Sequence, residues 1–418
     1  MKIIVVGYAC DPYRGSEPGV GWAAVCLIAR KHEVFVLTDA HNREGWERGS
    51  SEGIIPQNVQ VRFLRDHSAC SENRFIAHLQ SWMNYVSFNR QVLAAAKSWH
   101  HEVGFDLCHQ VTIAAWRLPS PLWNLPIPFV WGPIGGAGYI PAAFRPMLSP
   151  SARFFENMRD INTALSSRSS AFRKCIRNAA VVIAANEETE KFLKPFRGSL
   201  FLERLPVTPF LDEKKEQFRR LGSQSIRKGP LRLFAGGNME GRKGLSLALR
   251  ALNLFREEGG DFQYTIAGGG PEIPAIRALV SQLGLESKVV FHSGYKGDDY
   301  ITALHSSDVY FLPSFRETMG MTLVEAIYAG CYPVVADTSA QGEIVRMAGG
   351  KAVAGKTQEE MIDGLAQAIH WCDKNRELLP YEAAEAGKRI AEYFSAERYH
   401  RVIENAYHKA MGQPLYAD

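Results

Sequence analysis

Two glutamates eight residues apart, Glu317 and Glu325, are the first candidates for chemistry in this sequence. Glu317 lies in the loop between a predicted strand and a predicted helix, and Glu325 lies about one turn inside that helix. Eight fully helical residues span about 12 Å, a distance that a pyrophosphate could bridge with a sugar hydroxyl on one carboxylate and a ribose on the other. The backbone N–H groups of Gly320, Met321 and Thr322 open the helix and suit a phosphate. A solvated helix residue is the alternative for Glu325, but its apolar neighbours favour a carboxylate with a partner.

A glycine-rich loop with two cations supplies the complementary charge. Residues 236–244 follow the first predicted strand of the second half, and their glycines let the backbone approach a ligand closely. Arg242 and Lys243 could neutralise a diphosphate, the arginine as a planar fork and the lysine as a point charge. A solvated basic loop is the alternative. A further turn, residues 268–271, more often shapes the chain than binds a ligand.

The first half carries weaker candidates at the ends of its predicted strands. Residues 15–21 form a glycine-rich loop in which Gly15 and Gly19 could approach a phosphate or a sugar, with Glu17 as a candidate polar contact. His109 follows the predicted strand 105–108 and would face a ligand from the carboxyl end of that strand. A satisfied structural histidine is the alternative.

The loop after the predicted strand 129–131 indicates a sugar-binding pocket. It carries Gly135 and Gly136, and Trp131 at its start is available to stack on a sugar ring.

Two parallel sheets must position these loops. Short apolar runs alternate with helical stretches in both halves, which predicts an α/β fold of two Rossmann-like doubly wound domains facing a central cleft. A polar, charged stretch separates the halves and predicts a linker. The expected boundaries are 1–207 for the first domain, 208–229 for the linker, 230–385 for the second domain and 386–418 for a C-terminal helical region that returns to the first domain.

Composition and charge exclude several classes of protein. The chain has 418 residues, 46% of them hydrophobic, which excludes a disordered chain, and a net charge of +4, which is too small to indicate a nucleic-acid partner. Its seven cysteines contain no C-x-x-C pair, so we expect reduced thiols, no structural metal and a cytoplasmic protein. The apolar N-terminus predicts a strand rather than a signal peptide, and no apolar run is long enough to span a bilayer.

The second half resembles the nucleotide-sugar domain of retaining glycosyltransferases with the GT-B fold, specifically family four. The family's E-x7-E element matches Glu317 and Glu325, and its Lys-Gly phosphate loop matches Lys243 and Gly244. Its Pro-Ser and Gly-x-Gly-Pro elements match residues 313–314 and 268–271, and the first-domain histidine matches His109. The chain departs from the family at Asn238, where many members carry arginine, and at Thr318 and Met319.

The resemblance implies roles for these residues. Glu317 would bind hydroxyls of the donor sugar, Glu325 would bind the ribose, and Lys243 with Arg242 would stabilise the leaving diphosphate. His109 would contact the donor sugar near the reacting carbon. The implied catalytic set is His109, Glu317 and Lys243; the implied donor-binding set is Gly15, Glu17, Gly19, Gly237, Asn238, Arg242, Lys243, Gly268, Tyr295, Lys296, Glu317, Thr318, Met319, Gly320, Met321, Thr322 and Glu325; and the acceptor-binding set is Trp131, Gly135 and Gly136.

The function implied is retaining transfer of a hexosyl unit from a nucleoside diphosphate sugar to a hydroxyl acceptor. The acceptor would be a saccharide or a lipid-linked saccharide of cell-surface or exopolysaccharide synthesis, and the family works without a cofactor or a bound metal. Two alternatives stay open: a noncatalytic sugar-nucleotide binder and a sugar-nucleotide epimerase on the same architecture. Residues 144–177 interleave basic and aromatic side chains, so they could rest on anionic lipid at the inner face of the membrane, or form a solvated helical face.

Overall fold

The structure is a computed structural model that describes residues 1–15, 17–64, 74–198, 201–210, 215–218, 228–295 and 297–414, without the side chains of 74–82. It divides into two compact units, and each is described by itself. The first unit comprises Met1–Ala137, Thr163–Pro209 and Ala396–Asp418, and the second comprises Gly138–Asn162 and Phe210–Ser395. Most of the predicted linker, 208–229, lies outside the described residues.

The first unit is built on a seven-stranded parallel sheet. Buried apolar runs form its inner strands, as expected for strands that helices cover on both faces. The strand order is β3-β2-β1-β4-β5-β6-β7, so the direction of winding reverses between β1 and β4. The strands are β1 Lys2–Gly7, β2 Glu33–Asp39, β3 Val59–Leu64, β4 Leu107–Thr112, β5 Phe129–Ile134, β6 Val181–Ala184 and β7 Leu202–Arg204.

The second unit repeats this arrangement with a six-stranded parallel sheet in the order β10-β9-β8-β11-β12-β13. Its strands are β8 Leu231–Gly236, β9 Phe262–Ala267, β10 Val289–His292, β11 Val309–Phe311, β12 Tyr332–Ala336 and β13 Lys351–Val353. The predicted α/β class with two doubly wound parallel sheets is confirmed. The sequence analysis missed β13, a three-residue edge strand that is only partly buried.

Helices connect the strands of both sheets. They are α1 Glu17–Ile28, α2 Arg43–Ser51, α3 Arg74–Val103, α4 Pro150–Arg168, α5 Ser170–Asn178, α6 Glu187–Arg197, α7 Leu245–Glu257, α8 Ile273–Gln282, α9 Asp298–His305, α10 Met321–Tyr328, α11 Ala340–Ala348, α12 Gln358–Lys374, α13 Leu379–Tyr393 and α14 Ala396–Ala410. None of these described helices is both long and apolar enough to cross a membrane.

Two predicted boundaries in the first unit are wrong. Helix α1 begins at Glu17, within the predicted loop 15–21, so Gly19 lies inside a helix and not in a loop. Strand β4 continues to Thr112 instead of ending at Cys108, although His109, Gln110 and Thr112 are polar. These polar side chains can be buried in the strand because they form hydrogen bonds with other buried groups. Gln110, for example, donates to the hydroxyl of Tyr85 over 3.0 Å.

The last helix, α14, belongs to the first unit and is anchored there by polar contacts. Glu404 is buried and bonds to His32 over 2.9 Å, and the hydroxyl of Tyr407 bonds to Nδ1 of His109 over 2.7 Å. Because these groups are buried, breaking either contact would leave an unsatisfied polar atom in the core.

We expect Gly21→Ala to destabilise the first unit. A Cβ at this position would lie 2.2 Å from the carbonyl oxygen of Ala9, so helix α1 could not pack as it does. The free energy of unfolding should fall by about 1–3 kcal/mol, measured by urea denaturation. Gly15→Ala is the control, since a Cβ there meets nothing within 4 Å; equal stability of the two variants would contradict the packing account.

Candidate functional site

A buried carboxylate between two cations forms the centre of the candidate site. In the second unit, Oε1 of Glu317 accepts a hydrogen bond from Nζ of Lys243 over 2.5 Å, and Oε2 lies 2.9 Å from the guanidinium of Arg242. Glu317 is 8% exposed and Lys243 is 6% exposed. The structure therefore brings together three side chains that the sequence analysis placed on two separate loops.

The protonation of Glu317 follows from these contacts. Burial on its own would raise the pKa of Glu317, but the charges of Lys243 and Arg242 and their hydrogen bonds outweigh it and lower that pKa. Glu317 is thus a carboxylate at neutral pH and accepts hydrogen bonds only.

Close approaches at two glycines let the loops that carry these side chains meet. Lys243 ends a short turn after β8, and Gly244 follows with φ of +65°. A Cβ on Gly244 would lie 2.1 Å from the carbonyl oxygen of Pro313, and one on Gly268 would lie 2.0 Å from that of Gly237. Only glycine fits at both positions, so the turn around Gly268 shapes the site by packing, as the sequence analysis favoured over direct contact with a ligand.

Glu240 and Asn238 extend the cluster toward solvent. Glu240 accepts from Nε of Arg242 over 2.7 Å and from the amide of Asn238 over 2.8 Å. Its side chain is 39% exposed, far more than that of Glu317. The four charged groups, Lys243, Arg242, Glu317 and Glu240, sum to zero in this arrangement.

Segment 138–162, which belongs to the second unit, braces the loop that carries Glu317. The ring of Phe144 stacks on Phe315 with centroids 5.4 Å apart, and Glu156 accepts from Arg316 over 2.5 Å. The carbonyl of Arg316 in turn accepts from Arg242 over 3.1 Å. The sequence analysis missed this brace, because Glu156 and Arg316 are 160 residues apart and no motif links them.

Helix α10 presents the second glutamate and the expected phosphate-binding turn. Gly320 precedes the helix in the left-handed region with φ of +80°, which lets the chain turn into Met321 and Thr322. Glu325 is half-buried one turn later and accepts a hydrogen bond from the hydroxyl of Tyr300 over 2.9 Å. Thr318 and Met319 connect Glu317 to this helix, and Met319 is buried.

Tyr295 lies beside a polar cavity of the second unit. Its ring stacks on His292, with centroids 3.7 Å apart. Both residues line a cavity of about 520 Å³ whose walls also include Arg232 and Gln263, and Lys243 and Glu317 are not among its lining residues. Lys296 lies outside the described residues.

In the first unit, backbone contacts bring Glu17 and the loop after β5 to a common segment. Glu17 accepts from the backbone N–H of Ala114 over 2.8 Å, and burial raises its pKa. Arg117 donates to the carbonyl of Gly136 over 2.6 Å, and Gly135 donates to the carbonyl of Ala114 over 3.0 Å. These residues therefore lie together beyond the carboxyl ends of β4 and β5.

His109 is a structural residue in this structure, which corrects its expected contact with a donor sugar. It lies in the middle of β4 and is fully buried. Nδ1 bonds to the hydroxyl of Tyr407 and Nε2 to the carbonyl of Gly132, each over 2.7 Å. Burial lowers the pKa of His109 to about 4, although the bond to Gly132 opposes that shift, so the ring is neutral at physiological pH.

Trp131 is also corrected. It is fully buried in the aromatic core of the first unit, 6.4 Å in centroid distance from Phe172. Its position in β5 directs the indole into the core, so the ring is not available to stack on a sugar.

Comparison with known proteins supports the predicted resemblance. Residues 215–385 match the model of the family described as Glycosyl transferases group 1. The 2-deoxystreptamine glucosyltransferase of Streptomyces kanamyceticus is 28% identical over 184 residues, which are 42% of this chain and 46% of that relative. The putative colanic acid biosynthesis glycosyltransferase WcaL of Escherichia coli is 34% identical over 113 residues, which are 25% of this chain and 27% of that relative. This chain thus spans less than half the length of either relative.

A solved structure shares the fold over nearly the whole chain. The crystal structure of Anabaena HepE in complex with UDP and glucose has a TM-score of 0.58 at 15% identity and covers 96% of this chain and 98% of that chain. At this identity the likeness shows the fold, two Rossmann-like domains of the GT-B type.

The structural role of His109 predicts a pH dependence of stability. Unfolded His109 binds a proton below about pH 6.5, whereas folded His109 does so only near the depressed value, so stability falls as the pH drops through this window. The contribution lost is about 2 kcal/mol at about pH 5. In urea denaturation, the His109→Gln variant should lose less stability than the wild type between about pH 7 and about pH 5, by about this amount. Equal losses in the two proteins would contradict a buried neutral histidine.

The brace predicts a second effect, on ligand binding. Glu156→Gln removes the charge that holds Arg316, so the loop of Glu317 should become less ordered and the affinity for a nucleoside diphosphate should fall about 3- to 10-fold. Isothermal titration calorimetry with a nucleoside diphosphate measures this affinity. Glu359→Gln, an exposed substitution in α12 of the same unit, is the matched control and should bind as the wild type does. Unchanged affinity in Glu156→Gln would show that the brace does not position the loop.

Proposed function

We propose that this chain transfers a hexosyl unit from a nucleoside diphosphate sugar to a hydroxyl group with retention of the anomeric configuration. The premise is that residues 215–385 match the model of the group 1 glycosyl transferases. The observation that carries the proposal is the cluster of Glu317, Lys243 and Arg242. Glu317 itself lies four residues before the start of helix α10. It combines cations for a diphosphate with a carboxylate for hydroxyl groups.

The diphosphate binds to the cationic side of this cluster. Lys243 and Arg242 carry the positive charges, and the first backbone N–H groups of α10, at Met321 and Thr322, lie at the positive end of the helix dipole. Glu240 is the more exposed of the two carboxylates on Arg242, so the incoming phosphate takes its place there. Once Glu240 has left, the remaining groups carry a net positive charge that favours the anion.

The two glutamates hold the rings at either end of the diphosphate. Glu317, a carboxylate through its cationic partners, accepts hydrogen bonds from the hydroxyls of the donor sugar. Glu325, one turn inside α10, accepts from the ribose in the same way that it accepts from Tyr300.

The chemical step depends on electrostatic stabilisation of the leaving group. The bond between the anomeric carbon and the phosphate oxygen breaks, and Lys243 and Arg242 stabilise the charge that develops on the diphosphate. The acceptor hydroxyl attacks from the face that the diphosphate leaves, and its proton passes to the departing phosphate oxygen. The configuration is thereby retained without a covalent enzyme intermediate.

The substrate classes rest on the relatives. HepE was solved with UDP and glucose, which supports a nucleoside diphosphate hexose as donor. WcaL is named for colanic acid biosynthesis, which supports a saccharide or lipid-linked saccharide as acceptor. We propose that transfer needs no metal ion or cofactor.

Donor turnover by purified protein tests the proposal. UDP-, GDP- and ADP-hexoses are incubated with and without saccharide acceptors, and released nucleoside diphosphate and glycosylated product are both measured. Lys243→Ala and Glu317→Ala should each lower kcat/KM by about 100-fold or more, because each removes a contact to the donor. Lys356→Ala, an exposed lysine of the same unit, is the control and should keep full activity.

Three outcomes would contradict the proposal. Full activity of Lys243→Ala and Glu317→Ala would show that these residues do not form the donor site. Donor binding without turnover would indicate a noncatalytic binder. An isomerised sugar nucleotide formed without an acceptor would indicate an epimerase.

A further inference from the structure

Helix α4 exposes an apolar stripe along its length. Phe154, Met158, Ile161 and Leu165 recur at helical spacing on one face, and Phe155 lies beside them. Each of these five side chains is between 49% and 65% exposed. A contiguous apolar face on a water-exposed helix marks an interaction surface.

The charges around this stripe are of one sign. Helix α4 has two acidic residues, and both are neutralised by arginines of the second unit: Glu156 pairs with Arg316, and Asp160 pairs with Arg145. The exposed charges that remain on α4 belong to Arg153 and Arg168.

We propose that α4 docks this protein on the surface of an anionic phospholipid bilayer. The stripe enters the boundary between headgroups and acyl chains, and the exposed arginines contact lipid phosphates. The helix lies in the plane of the interface, since it is too polar to cross the membrane. This inference rests on the proposed function in one respect: docking would bring a lipid-linked acceptor to the enzyme. Binding to lipid can itself be measured without any turnover of the donor.

Charge favours a bilayer over a second copy of the chain. Two copies meeting through this stripe would bring the same cations together, and like charges across an interface are unfavourable. Anionic phosphates instead complement the cations while the acyl chains take up the phenylalanine rings. The opposite face of α4 is not available to a bilayer, because Glu156 on that face accepts a hydrogen bond from Arg316 within the second unit.

Vesicle flotation with the full chain tests the proposal. The wild type should float with vesicles of phosphatidylcholine containing about one-third phosphatidylglycerol and should bind pure phosphatidylcholine vesicles at least about 10-fold more weakly. The double variants Phe154→Ser/Phe155→Ser and Arg153→Glu/Arg168→Glu should each lower the apparent affinity for the anionic vesicles by about 10-fold or more.

Matched controls separate this surface from general effects. Tyr381→Ser replaces another exposed aromatic, which is 64% exposed on α13, and Lys97→Glu/Lys194→Glu makes the same change of charge on the first unit. Both should bind vesicles as the wild type does. Circular dichroism confirms that every variant is folded, and all binding is measured without donor, so the failure of this proposal is distinct from failure of the transferase activity.

Three results would overturn the proposal. One is a wild type that does not float with anionic vesicles, and another is flotation that the α4 variants leave unchanged. The third is a concentration-dependent dimer that Phe154→Ser/Phe155→Ser abolishes in a protein that binds no vesicles, which would assign the stripe to a second copy of the chain.

Discussion

The candidate site depends on the burial of one carboxylate, that of Glu317. A charge so shielded from water is stable only with partners, and removal of one partner from a buried ion pair costs about 3–5 kcal/mol. Lys243 and Arg242 supply these partners over 2.5 and 2.9 Å from a different loop. The same contacts fix three groups of complementary chemistry at one place. Because a buried charge must be paired, these three side chains are already held together before any ligand binds.

The backbone makes this pairing geometrically possible. Gly244 lies against the carbonyl of Pro313 and Gly268 lies against that of Gly237, and any side chain at these positions would push the loops apart. On the other side, Phe144 and Glu156 of segment 138–162 contact the residues immediately before Glu317. Helix α4 therefore has two roles on two faces: one face orders the site, and the other exposes apolar side chains.

Much of this could be predicted from the sequence, and the misses have physical causes. Apolar runs marked the inner strands of both sheets, and the E-x7-E spacing located Glu317 and Glu325. The brace through Glu156 could not be found, because a pairing across 160 residues leaves no local pattern. The predictions for His109 and Trp131 were wrong, because polar residues were taken as the end of β4 and the indole as accessible to a sugar. Tertiary contacts with Tyr407 and with the aromatic core bury both side chains. Sequence periodicity reports local structure, and it does not report which buried partners a side chain finds.

The account rests on an anion-binding role for Lys243 and Arg242, and calorimetric affinities of the wild-type protein test it most directly. Each nucleoside diphosphate is compared with its own nucleoside, which lacks the charges but keeps the base and ribose. If the cations bind the diphosphate, UDP, GDP or ADP binds at least about 100-fold more tightly than the matching nucleoside, since charge-assisted contacts to phosphate are worth about 1.5–3 kcal/mol each. Equal affinities for diphosphate and nucleoside, whatever the base, would contradict the account.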